Sequence, residues 1–229
     1  MRAFDAVCFD LDDTLCVAQQ DGEDLLSAAF DRVGVAPFCS FDDVRAVDVE
    51  ALPAAETDRK FHEHLYAAAA ANVGADPRAD AISAVAAATV ELRDPTAVSF
   101  RPGAREALEY VRRRYPVGLI TNGSETTQRE KLRALGIADA FETAVFCDPA
   151  AGVHPKPDPA PFRRALSDLD AAPECTLYVG DRHGGDVVGA HAAGLRSAWV
   201  PHETGVVPAE PDPEPTHRLD GLGKLPEIL

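Results

Sequence analysis

The 229-residue sequence predicts an α/β fold, a doubly wound parallel sheet with an inserted all-helical domain, and three observations lead to it. Short apolar runs recur without polar alternation, the pattern of strands covered on both faces. Helical stretches separate those runs, and strand alternating with helix gives a parallel sheet joined by right-handed crossovers. Between Cys16 and Ser99 the alternation stops and only helical patterns remain.

Taken in order, Ala6-Val7-Cys8-Phe9 is the first strand. The insertion predicts helices over 23–33, 41–52, 56–72 and 79–93, punctuated by Gly34, Pro37, Pro53, Gly74 and Pro77. This divides the chain into a core, 1–16 and 99–229, and a helical cap, 17–98, with hinges at the ends of the insertion. Pro102-Gly103 opens the next helix, which carries Ala107, Leu108 and Val111 at helical spacing. After the strand Val117-Gly118-Leu119-Ile120, Ser124 is the N-cap of a helix running through Lys131, Leu132 and Leu135 to Gly136. Thr143-Ala144-Val145-Phe146 is a weaker strand, and Asp158 caps a helix bearing Phe162, Ala165 and Leu169. Leu177-Tyr178-Val179 and Ala198-Trp199-Val200 complete the strands, with a helix over 186–193 between them. The tail over 201–215, rich in Pro, Glu and Asp, reads as an exposed loop, and 219–229 resumes an apolar pattern that packs back on the core.

Composition narrows the function. The net charge of −16 comes from 38 acidic and 22 basic residues, and only Lys60, Lys131, Lys156 and Lys224 are lysines. Nucleic-acid binding needs clustered Lys and Arg, so it is not expected. A surface this acidic and lysine-poor resembles proteins of salt-accumulating cytoplasms, where molar salt screens self-repulsion; an ordinary acidic enzyme is the alternative. Cys8, Cys16, Cys39, Cys147 and Cys175 show no metal-ligand spacing and are odd in number, as in a reduced, cytoplasmic protein. Neither a signal peptide nor an apolar run of roughly 18 residues is visible, so no membrane partner is expected. The sequence leaves monomer and homodimer open.

Three of the strand-like runs end in polar residues: Asp10-Leu11-Asp12-Asp13-Thr14, Thr121-Asn122-Gly123 and Gly180-Asp181. Ligands of open parallel sheets bind at the carboxyl ends of strands, so these residues can meet there. If strand geometry persists, Asp10 and Asp12 project from one face. Two adjacent carboxylates repel unless a cation or proton relieves them, and Asp181 and Asp186 add hard oxygen ligands of the kind Mg²⁺ takes. A carboxylate can attack phosphorus while a partner protonates the leaving oxygen and later deprotonates water. Mg²⁺, Lys156, the Thr121 hydroxyl and backbone N–H groups around Asn122 and Gly123 would balance the transferring phosphoryl charge.

Together with Lys156-Pro157 and Asp186, these segments resemble the four ordered motifs of the haloacid dehalogenase superfamily, a likeness covering essentially the whole chain. The helical insertion, and the stretch from Thr121 to Gly136 with Gln128, Lys131, Leu132 and Leu135, resemble the helical-cap phosphatases of the phosphoglycolate phosphatase-like and pyrimidine nucleotidase-like subgroup. The resemblance implies Asp10 as nucleophile and Asp12 as general acid and base. It places the phosphoryl group on Thr121 and Lys156, and Mg²⁺ between Asp10, the Asp12 carbonyl and Asp181, with Asp186 in support. The expected substrate is a small-molecule phosphate ester.

Dehalogenases of the superfamily lack the second aspartate, so Asp12 favours phosphate-ester hydrolysis over dehalogenation; phosphotransfer on the same scaffold stays open. A regulatory phospho-aspartate protein of the receiver type would carry its acceptor on the third strand, without a large insertion. Arg182 and His183 are read as exposed loop residues, His62 and His64 as solvent-facing, Cys16 as a buried small residue, and the face of Arg59, His62 and Tyr66 as packing.

Overall fold

Both faces of the central sheet are covered, which is why its strands read as unbroken apolar runs. The structure, a computed structural model, describes residues 4–49, 51–53, 55–202 and 207–229. It divides into two compact units, Met1–Val17 with Val98–Leu229, and Ala18–Ala97.

The first unit begins with β1 (Ala6–Phe9) and β2 (Cys16–Ala18). The chain then forms α1 (Gly22–Val33), α2 (Phe41–Arg45), α3 (Asp58–Asn72) and α4 (Ala79–Leu92). It returns through β3 (Val98–Phe100), which pairs with β2, and continues as α5 (Ala104–Arg112), β4 (Val117–Asn122), α6 (Glu125–Ala134) and β5 (Thr143–Cys147). It closes with α7 (Pro159–Leu169), β6 (Thr176–Gly180), α8 (Val188–Ala192), β7 (Arg196–Trp199) and β8 (His217–Arg218). The sheet order is β5-β4-β1-β6-β7-β8, parallel throughout, with Val7 opposite Val117 on one side and Leu177 on the other. β1 is therefore central, and the chain builds outward from it in both directions.

Strand alternation sends neighbours to opposite faces. Val7, Phe9, Leu119, Leu177 and Val179 join one core with Leu108 and Val111 of α5 and Leu132 of α6. Cys8, Ile120, Val145 and Tyr178 join the other with Phe162 and Leu166 of α7. Leu219, Leu222 and Leu225 are buried in the first core, as the apolar C-terminal pattern predicts.

The helical unit has its own core, including Leu26, Phe30, Leu65, Tyr66, Ala69 and Val85. Asp21 and Ser40 cap α1 and α2. Two expected boundaries move. α2 stops at Arg45 rather than 52, because Val47, Asp48 and Val49 are poor helix formers and Val47 turns into the core. α3 starts at 58 rather than 56, because the Thr57 hydroxyl caps it by accepting the Lys60 N–H. The predicted helix over 186–193 instead opens with a π-helical turn, His183–Val187. Residues 203–206 of the expected tail loop lie outside the described residues; the described remainder of 201–215 has no regular element. No helix among the described residues is long and apolar enough to cross a membrane.

Candidate active site

The carboxyl ends of β1, β4 and β6 adjoin, so the residues following them meet. Asp10 follows β1 in step with Cys8, on the face covered by α7, and Lys156 lies just before α7. The Lys156 ammonium donates to Asp10 Oδ1 at 2.6 Å, Asp186 Oδ1 at 2.7 Å and the Tyr178 hydroxyl at 2.8 Å. Three protons meet three acceptors, which fixes the ammonium. The Tyr178 hydroxyl in turn donates to the Ile120 carbonyl at 2.9 Å. Burial opposes the charged ammonium, but the Asp10 and Asp186 carboxylates outweigh it and hold the Lys156 pKa above its ordinary value.

Asp10, Asp181 and Asp186 are all buried, and one carboxylate oxygen of each lies within 4.8 Å of the others. Burial pushes Asp10 up to about 7; the Lys156 charge opposes this and Asp186 adds to it. Burial likewise raises Asp181 to about 8, helped by Asp186 and Asp10, against the hydrogen bond from Thr14. Gly180 makes room for Asp186: a Cβ there would sit 2.4 Å from the Asp186 Cγ and Oδ2. The Arg182 N–H donates to that same Oδ2 at 2.9 Å, holding the carboxylate from the other side.

The two aspartates of the first motif do not stay on one face. β1 ends at Phe9, and Asp13 takes a left-handed conformation, φ 57°, which Asp tolerates better than most residues. The Asp13 carbonyl is held by Arg101 at 2.8 Å. The turn carries the Asp12 carboxylate to α6, where Lys131 Nζ bonds its two oxygens at 2.6 and 2.8 Å. Each of the two carboxylates thus has its own lysine.

Thr121 is buried at the end of β4, and its hydroxyl oxygen is 2.7 Å from Gln128 Nε2. Asn122 grips the Lys156 backbone, its Oδ1 accepting the Lys156 N–H at 2.9 Å. The Gly123 N–H, expected in a phosphate cradle, instead donates to the Cys147 carbonyl at 3.2 Å because β4 runs beside β5. Asn122 here braces the loop that delivers Lys156.

Residues 4–194 match the model for the haloacid dehalogenase-like hydrolases. The chain belongs to that family. The phosphoserine phosphatase of Thermus thermophilus is 39% identical over 125 residues, 54% of this chain and 49% of that protein. The glyceraldehyde 3-phosphate phosphatase of Pyrococcus furiosus is 37% identical over 99 residues, 43% and 40% of the two chains. The match thus spans less than half the length of either relative. A predicted phosphoglycolate phosphatase from Haemophilus somnus has a TM-score of 0.78 at 19% identity, over 100% of this chain and 99% of that one. The magnesium-bound YfnB of Bacillus subtilis has a TM-score of 0.71 at 20% identity, over 99% and 98%. At such identities these two likenesses speak for the fold alone.

In this haloacid dehalogenase-like hydrolase the acidic cluster fits a divalent cation. Three buried carboxylates face one buried ammonium, and burial drives two of them toward protonation. A hard cation with oxygen ligands would relieve that imbalance. The Asp12 carboxylate lies outside the cluster.

Several residues were missed or misplaced by sequence reasoning. Tyr178 reads as one more apolar strand residue, and its hydroxyl gives no signal in a buried run. Lys131 does give one, a lysine in a chain that avoids them. His183 is buried rather than exposed, its ring edge-on to Trp199 and its Nε2 3.0 Å from the Pro213 carbonyl, because the returning tail covers it; Arg182 is half-buried. His62 and His64 are half-buried rather than solvent-facing, with Nδ1 2.7 Å from the Asp58 carbonyl and 3.1 Å from that of Pro53. As expected, Tyr66 packs in the interior, its hydroxyl 2.8 Å from Thr89 Oγ1, and Cys16 is buried; Arg59, expected to pack with Tyr66, is exposed.

Proposed function

We propose that this protein is a Mg²⁺-dependent phosphatase that hydrolyses a small phosphomonoester through an aspartyl-phosphate. The observation that carries the reading is the three-carboxylate cluster of Asp10, Asp181 and Asp186 with Lys156 bound to two of its members. Asp10, Asp181 and Asp186, with the Asp12 carbonyl, would hold Mg²⁺. The bound ion would offset the phosphoryl charge.

An Asp10 oxygen attacks phosphorus, forming an acyl-phosphate bond as the ester P–O bond breaks. Asp12 gives its proton to the leaving oxygen and then, as carboxylate, takes one from the attacking water, which displaces Asp10 and restores both groups. The Lys156 ammonium and Thr121 hydroxyl steady the phosphoryl oxygens. Asn122 keeps Lys156 in place. The insertion, 17–98, would be the cap domain and select the ester. The phosphatase names of the sequence relatives support this class of substrate. The acidic, lysine-poor composition supports work in a saline cytoplasm.

Phosphate release over a few dozen phosphorylated metabolites, in low and molar KCl, tests the reading. At least one ester should turn over with Mg²⁺ and stop with EDTA. No release from any ester, or turnover indifferent to EDTA, overturns it.

A further inference from the structure

Two of the chain's four lysines are exposed, Lys60 and Lys224, and form ion pairs within their own helical turns. The other two are buried, and each is bound to one of the paired aspartates: Lys156 to Asp10, and Lys131 to Asp12. The second pair is lopsided. The Lys131 side chain is 4% exposed and the Asp12 side chain 42% exposed, so the carboxylate is accessible and its holder is not. Taking an ammonium out of water for such a pair is a poor route to stability, since a well-packed apolar side chain commonly does as well.

Gln128, one helical turn earlier on α6, has the same target. Its Nε2 is 2.8 Å from Asp12 Oδ2, 2.7 Å from Thr121 Oγ1 and 2.9 Å from the Asn122 carbonyl. The Asn122 carbonyl accepts only, as does the ionised Asp12 that Lys131 holds by both oxygens, so nitrogen must face them. Its two protons therefore serve three acceptors, and Gln128 Oε1 is left buried without a partner. An unsatisfied buried acceptor is destabilising.

We infer that Lys131 and Gln128 are positioning residues that aim the Asp12 carboxylate at the oxygen it protonates and deprotonates, an inference that rests on the phosphatase reading above. Gln128 also joins Asp12 to Thr121. When the Thr121 hydroxyl turns its proton to a phosphoryl oxygen, its lone pair claims one Gln128 proton. One proton then remains for the Asn122 carbonyl and Asp12, and the hold on Asp12 passes to Lys131.

The test compares leaving groups in the full chain with Mg²⁺. An alkyl phosphate needs its leaving oxygen protonated, whereas p-nitrophenyl phosphate scarcely does. Lys131→Met and Gln128→Leu should lower kcat/KM, which reports transfer to Asp10, about a hundredfold on the alkyl ester and less than about fivefold on the p-nitrophenyl ester, while kcat on the p-nitrophenyl ester falls with the water step that Asp12 also serves. Lys131→Arg should recover part of the loss. Equal losses of kcat/KM on both esters, or undiminished kcat/KM on the alkyl ester, overturn the inference. Should Lys131→Met fail to fold, by circular dichroism, the same ratio in Gln128→Leu and Lys131→Arg decides. Wild-type protein that releases no phosphate from either ester or from the metabolite panel refutes the phosphatase reading itself.

Discussion

Trp199 donates its indole N–H to the backbone carbonyl of Asp181 at 2.7 Å. It is the chain's single tryptophan and is fully buried, so its emission reports on one place. The Asp181 carboxylate belongs to the acidic cluster, and a cation drawing on it would shift the backbone that Trp199 touches. Titrating the metal-free protein with Mg²⁺ should give a saturable change in tryptophan fluorescence. Asp181→Asn should weaken that response at least about tenfold. A flat titration of well-folded protein would count against a cation site here.

Asp10→Asn should leave the fold intact and stop turnover. The amide oxygen can still accept from Lys156, so the hydrogen bond at Oδ1 survives the change. An amide has no carboxylate nucleophile, and kcat should fall by about a thousandfold or more. Circular dichroism and phosphate release measured on one preparation separate the two effects. Near-normal turnover would dismiss Asp10 as the attacking group.

Gly180→Ala probes the approach of Asp186. The added methyl would lie 2.4 Å from the Asp186 carboxylate carbon, well inside any tolerated contact, so that side chain or the π-helical turn must shift. Asp186 would then leave Lys156 and Tyr178, and the cluster would open. A stability loss of about 1–3 kcal/mol is expected in a urea melt, with weaker Mg²⁺ response of Trp199. Unchanged Mg²⁺ affinity would mean that Asp186 has no part in holding the ion.

The strands were legible because burial on both faces leaves an unbroken apolar signature, and caps such as Ser124 and Asp158 because a helix start needs a side-chain acceptor. The path after β1 was not. Strand parity would keep Asp10 and Asp12 together, whereas the left-handed Asp13 and the Arg101 contact to its carbonyl send Asp12 to α6. That turn depends on a residue 88 positions away, which no local pattern encodes. For the same reason the burial of His183 was hidden: it depends on where the tail around Pro213 returns.

The acidic cluster also sets a pH dependence whose sign follows from burial. Burial is the main cause that raises Asp10 to about 7 and Asp181 to about 8, against an ordinary 3.8. Without a divalent cation, the folded protein holds protons that the unfolded chain releases as pH rises above that ordinary value. Stability then falls with pH, because the unfolded state binds fewer protons; the contribution is whole below about pH 4 and lost as pH climbs through 7 to 8. Mg²⁺ takes the place of those protons, so its stabilising effect should be larger at pH 8.5 than at pH 5. The net charge of −16 also penalises the compact state more at high pH, so the measurement belongs in molar KCl, where that repulsion is screened. Thermal midpoints in EDTA should fall between about pH 5 and pH 8.5, and Asp181→Asn should flatten the slope. A midpoint in EDTA that rises over this range would show that the two carboxyls keep ordinary affinities for protons, and the electrostatic case for a cation at this site would fail.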